Sequence, residues 1–217
     1  MDDRKLRQFV IDELEFEPSI DAAHIGVTAE KGVITLTGHV SSYAQKVAAL
    51  QAVRRLKGVR GVALEIEVRY PNDTHVSDDE LAERVLNVLQ WDAMIPKSAV
   101  KVVVQKGWVH LSGTLTWQFE KKAAEAVARN LTGVMGVTNA IVITPTIEAS
   151  EIEQKIADAL ERHAQVEAKS ITVKIEQGNI VQLEGKVGSW EDHDLIENAA
   201  WSVPGVRWVN DGLRVSS

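Results

Sequence analysis

The chain has 217 residues, 45% hydrophobic and 25% charged, an ordinary globular balance that excludes a disordered polymer. No apolar run approaches the ~20 residues that a membrane-spanning helix needs, and the lack of cysteine removes disulfides, thiolate catalysis and thiolate metal sites together. The net charge of −7 is uneven: residues 1–71 hold ten basic and ten acidic side chains, residues 72–146 seven and eight, and residues 147–217 seven and thirteen.

Leu6, Val10 and Leu14 recur every four residues and predict an amphipathic helix at the start of the chain. A run with strand character begins at Ile25, Lys31-Gly32 supplies a tight turn, and Gly32-Val-Ile-Thr-Leu-Thr-Gly38 forms the second arm of a hairpin. A second helix is predicted from near Ser42 to the glycine of the Gly58-Val59 pair. A third strand then turns Leu64, Ile66 and Val68 inward, and Pro71 marks a linker.

The same succession returns twice. Leu81, Val85 and Leu89 repeat the first helix, followed by Val100, Val102 and Val104, by Gly107-Trp-Val-His-Leu-Ser-Gly113, by a helix from Trp117 to Gly133-Val134, and by Ile141 and Ile143 before Pro145. Ile152, Ile156 and Leu160 begin the third copy, which continues through Ile171, Asn179-Ile-Val-Gln-Leu-Glu-Gly185, a helix from Ser189 to Gly205-Val206, and Leu213 and Val215. Ser77 with Glu80 and Ser150 with Glu153 have the spacing of capping boxes. In all three copies the last glycine of the hairpin and the glycine of the Gly-Val pair stand 20 residues apart. Only the third turn, Gln177-Gly178-Asn179, is one residue longer.

The pattern predicts an α+β fold of three tandem αββαβ units, residues 1–71, 72–146 and 147–217. Each is a small three-stranded mixed sheet with two helices on one face. The strand–helix–strand link should cross over right-handed, leaving strands two and three parallel. Gly38, Gly113 and Gly185 share the inward parity of Leu36, Leu111 and Leu183, as if to let a helix lie close to the strand.

The Gly-Val-Ile-Thr-Leu-Thr-Gly38 type of segment and the Gly-Val ending, as in Gly133-Val134-Met-Gly-Val137-Thr-Asn139, resemble the BON domain. This is a bacterial family named for osmotically induced and nodulation-related proteins, and the resemblance spans nearly the whole chain in three copies. It implies an αββαβ fold and a non-enzymatic module linked to phospholipid surfaces and to osmotic or envelope stress, in a family whose members are often periplasmic. The N-terminal residues run straight into the amphipathic pattern without a signal-peptide core, so a cytoplasmic protein, at most peripheral to a membrane, is the expectation.

Chemistry-bearing motifs are sparse. The histidines (His24, His39, His75, His110, His163 and His193) form no pair with metal-ligand spacing, so no metal site and no cofactor are expected. Asp192-His193-Asp194 reads as a solvated helix start, where acids suit the dipole. No nucleophile elbow and no phosphate-binding glycine motif occurs, so catalytic residues are not expected. The acidic third copy opposes nucleic acid and anionic lipid, since like charge repels at long range.

The candidate lipid site is the basic cluster Arg54, Arg55, Lys57 and Arg60, with Leu50 as an apolar foothold. Trp201 and Trp208 replace Arg or Gly of the other copies, which suggests contact with another repeat or a partner. Val103, Trp108 and Val142 give the second sheet an apolar outer face, expected to be covered by a neighbouring repeat because small units bury little surface alone. Two functions fit these features: an adaptor attached to anionic phospholipid, or a cytoplasmic scaffold binding a protein partner or itself.

Overall fold

A computed structural model describes residues 2–70, 76–144, 148–162 and 171–215; His75 and His163 lie outside them. The first repeat consists of α1 (Asp3–Phe16), a 3-10 turn (Ala22–His24), β1 (Ile25–Glu30), β2 (Val33–Val40), α2 (Tyr43–Arg54) and β3 (Gly61–Val68). The second has α3 (Asp78–Trp91), β4 (Val100–Gln105), β5 (Trp108–Leu115), α4 (Gln118–Arg129) and β6 (Gly136–Ile143). The third has α5 (Ala149–Arg162), β7 (Ile171–Glu176), β8 (Ile180–Val187), α6 (Trp190–Trp201) and β9 (Trp208–Val215). The sheets run β1-β2-β3, β4-β5-β6 and β7-β8-β9. This is the predicted α+β architecture of three αββαβ units.

In the first and third sheets the hairpin is antiparallel and the crossover strand parallel, with Val33 opposite Gly61 and Ile180 opposite Trp208. Leu6, Val10 and Leu14 of α1 pack on Ile34, Leu36 and Ile66, and Ala49, Ala52 and Val53 of α2 complete that core. Ile152, Ile156 and Leu160 of α5 meet Val181, Leu183 and Ile196 in the same manner. By compactness the chain divides into two units: Met1–Val88 with Val102–His110 and Ala126–Thr138, and Leu89–Lys101 with Leu111–Glu125 and Asn139–Ser217.

The first two hairpins turn through Lys31-Gly32 and Lys106-Gly107, all four residues having positive φ, the signature of a type I′ turn. Lysine is a costly choice there, because its Cβ crowds the left-handed backbone. An acid in the first turn of the preceding helix compensates. Asp3 accepts from the Lys31 and Gly32 amides at 2.7 and 3.1 Å, and Asp78 accepts from those of Lys106 and Gly107 at 2.7 and 2.8 Å. The third repeat has Ala149 at this place and the longer turn, in which Gly178 and Asn179 take positive φ instead.

Two expectations need correction. The second helices stop at Arg54, Arg129 and Trp201, four residues before the Gly-Val glycine. Tight turns with Leu56 N–H bonded to Val53 and Val59 N–H bonded to Leu56 carry the chain across the gap. Gly38 and Gly113 make room for backbone rather than for a helix. A Cβ on Gly38 would stand 2.0 Å from the His24 carbonyl oxygen, and one on Gly113 would stand 2.1 Å from that of Ala99.

Candidate functional site

The basic cluster lies at the C-terminal end of α2, with Arg54, Arg55, Lys57 and Arg60 all exposed and Leu50 half-buried. Arg55 is held by carboxylates, 3.3 Å from Glu17 and 3.8 Å from Glu13. The stem of Arg60 lies against Gly32, where an added Cβ would come within 3.0 Å of its Cδ. Among the described residues Arg54, Lys57 and Arg60 have no ion-pair partner, so the cluster offers three uncompensated charges rather than four.

Larger apolar groups stand in water elsewhere. Phe16, the last residue of α1, is 84% exposed, and Trp91, the last residue of α3, is 89% exposed. They occupy the same place in their repeats, 75 residues apart, where the third copy has Arg162. Met94 joins Trp91 because the Asp92 carboxylate accepts its amide at 2.8 Å, a turn that sends Ile95 into the core and leaves Met94 outside. The sequence reading passed over this pair; the 75-residue recurrence of an aromatic beyond the last core position was the available signal.

The apolar face of the second sheet is not covered as expected. Val103, Trp108 and Val142 are each exposed, Trp108 at 44%. Trp108 is steadied within its own sheet: Nε1 donates to Thr138 Oγ1 at 2.9 Å, and the ring lies on Gly136, where a Cβ would meet it at 2.6 Å. In the third repeat Trp208 stands where Gly136 is, and opposite it Ile180 replaces Trp108, so the indole comes from the adjacent strand. Trp208 is 58% exposed and meets Trp201 edge to face at 6.5 Å. Trp201 is half-buried, donates to Glu197 at 3.2 Å and receives the Lys122 ammonium 5.3 Å from its ring centre.

His193 departs from the solvated-helix reading. It is buried, with Nε2 2.7 Å from Asp211 Oδ2 and Nδ1 3.4 Å from Asp194. Burial is the largest influence and opposes the charged form, but hydrogen bonding and charge from Asp211, reinforced by Asp194, prevail and raise its pKa above 6.5. The same place in the second repeat is neutralised differently. Asn139 Nδ2 donates to the Lys121 carbonyl at 2.9 Å and to Glu125 at 3.2 Å, while Lys121 Nζ caps the Ile141 carbonyl at 2.7 Å. In the first repeat Leu64 fills it with hydrocarbon packed on the core.

An open groove of about 940 Å³ runs beside α5 and α6, lined by Trp117, Lys155, Asp158, Arg162 and Leu195 among others. Cations and anions line it together, and the Ser202 hydroxyl donates to the Asn198 carbonyl at 2.7 Å. Among the described residues no group of three or more His, Asp or Glu could hold a metal ion, and no helix is long and apolar enough to cross a membrane.

Comparison with a family profile agrees with the threefold architecture. The family profile described as BON domain matches residues 2–70, 77–145 and 148–217. Osmotically-inducible protein Y of Escherichia coli (strain K12) is 31% identical over 143 residues, covering 64% of this chain and 71% of that protein. Among solved structures, the C-terminal domain of CdsD, the structural protein of the type III secretion system of Chlamydia trachomatis, is 16% identical over the full length of both chains, with a TM-score of 0.28.

These matches overturn the cytoplasmic expectation, because the matched family is associated with the periplasm or with membranes. The expectation rested on an amphipathic opening. That pattern is explained by the core-facing stripe of α1 and carries no information about compartment.

Proposed function

The chain belongs to the BON domain family, and on that premise we propose that it is a stress-related, non-enzymatic module that attaches to phospholipid surfaces. The observation that carries this reading is the recurrence of Phe16 and Trp91, nearly fully exposed, at one place in two repeats. A large ring in water gains free energy at the boundary of headgroups and acyl chains, where its body is sheltered and the indole N–H stays wet. Met94, three residues further along the chain and also exposed, adds a flexible apolar side chain.

Arg54, Lys57 and Arg60 supply long-range attraction, each contributing about 1 kcal/mol near an anionic surface. The similarity to an osmotically-inducible protein supports the association with stress.

The test is flotation of the intact chain with vesicles of phosphatidylglycerol and phosphatidylcholine, against phosphatidylcholine alone. Binding is expected to the anionic vesicles, with a blue shift of tryptophan emission. Phe16→Ser with Trp91→Ser should weaken it about tenfold or more, since burying one large apolar side chain is worth about 1.5–3 kcal/mol. No binding by the unaltered chain, or equal binding by the double variant, would overturn the reading.

A further inference from the structure

Consecutive repeats meet through the same two parts, twice. Within the first compact unit, Tyr70 at the end of repeat one donates its hydroxyl to the Val134 carbonyl at 2.6 Å, and the backbones of Gly133 and Tyr43 face the same oxygen. Within the second unit, the Gly205 amide donates to the Thr116 carbonyl at 3.1 Å, and Lys122 of α4 lies over Trp201 of α6. In both cases the Gly-Val turn of the later repeat lies at the start of the earlier repeat's second helix, reached through the Tyr70 hydroxyl in the first and directly in the second. The relation is heterologous, since two different surfaces join, so each contact leaves one copy of either surface open at the ends of the array.

Among the described residues each surface has an unmated copy. Val134 and Val206 are buried to 0% and 1% exposure, whereas Val59 at the same place in repeat one is only half-buried and Gly58 is exposed. In repeat three the residue in the place of Thr116 is Gly188, which is also exposed. The charges of the two unmated surfaces are opposite. Arg54, Lys57 and Arg60 ring the Gly58-Val59 turn, while Asp192 and Asp194 stand in the first turns of α6. Repeat equivalence makes the match specific: Asp194 holds the place of Lys122, and Arg54 holds that of Trp201. The cation–ring contact seen between repeats two and three thus becomes, between two chains, a carboxylate facing a guanidinium.

We propose that a second copy of this chain docks its Gly58-Val59 turn on the Gly188-Ser189 turn of the first, with Arg54 of one copy opposite Asp194 of the other. The contact is head to tail and builds rings or filaments. It shares Arg54, Lys57 and Arg60 with the lipid reading but not Phe16 and Trp91, the residues that carry that reading, and it is tested without lipid.

Sedimentation velocity over a concentration series should show a mass rising above the 23.9 kDa of one chain, with association falling as salt is added. Arg54→Glu and Asp194→Arg should each weaken association about tenfold or more, because like charges then face one another. The double variant, and an equal mixture of the two single variants, should restore it. Because the chain has no cysteine, Arg54→Cys mixed with Asp194→Cys gives a second readout, a disulfide-linked heterodimer under mild oxidation. If a charge reversal disturbs folding by circular dichroism, Arg54→Gln and Asp194→Asn replace it. A monomer at all concentrations overturns the proposal, as does association that both single reversals leave unchanged.

Discussion

His193 and Asp211 are joined at 2.7 Å across the strand–helix boundary of the third repeat, an ion pair that the other repeats do not have at this place. Because the folded chain raises the pKa of His193 above its ordinary 6.5, folding favours the protonated ring. The pair therefore adds stability fully below about pH 6.5, and this contribution is lost as pH rises through the folded value. Urea unfolding followed from about pH 5.5 to about pH 8.5 should show the third repeat weakening across that window. Asp211→Asn should flatten the profile; an unchanged slope would show that the pair does not govern it.

Tyr70 responds at a higher pH. Burial, foremost, raises its pKa above 10, against the lowering effect of the backbones of Gly133, Tyr43 and Val134. Stability is therefore complete below pH 10 and falls as pH climbs toward the folded value. Tyr70→Phe removes that alkaline sensitivity and leaves the Val134 carbonyl without its hydroxyl donor, at a cost of about 1 kcal/mol. Thermal unfolding of the variant at neutral and alkaline pH checks both parts.

The carboxylates of Asp3 and Asp78 each hold two amides of a left-handed turn. Asp78→Ala should destabilise the second repeat by about 1–3 kcal/mol, the scale of hydrogen bonds to a charged group. Replacing Lys106 by Gly in that background should recover part of the loss, since glycine tolerates positive φ without help. Denaturant midpoints of the single and double variants decide; an additive loss would contradict the compensation.

Gly38→Ala and Gly113→Ala should each cost more than about 2 kcal/mol, because the new methyl meets a carbonyl oxygen and φ is +103° or +134°. Gly61→Ala is the control: its Cβ would meet only a Val33 methyl at 3.9 Å, and the change should be tolerated. A Gly38 variant as stable as the Gly61 variant would show that the backbone gives way more easily than its packing implies.

The periodicities exposed most of this fold. A four-residue recurrence at Leu6, Val10 and Leu14 and a two-residue alternation at Val100, Val102 and Val104 are local consequences of helix and strand geometry, so they survive in one dimension. The helix ends were misplaced because a tight turn and a last helical turn share the same apolar spacing around Leu56. Asp192-His193-Asp194 misled because its partner Asp211 lies 18 residues from His193 and is brought near only by the crossover. Exposure at Trp91 and Trp108 depends on what packs over a place, which spacing cannot tell.

The space left open by Gly38 also acts as a detent for the hairpin. Ile25 pairs with Gly38, and the carbonyl of His24 projects into the volume a side chain would occupy. A slip by one residue would set His39 there, and a slip the other way would set Thr37 there; either would strike the carbonyl while also turning the apolar face of the strand to water. The register is thus keyed at one point by steric shape as well as along its length by side-chain parity. A hairpin paired out of step thus meets this clash at its open end, where Ile25 faces Gly38, opposite the Lys31-Gly32 turn.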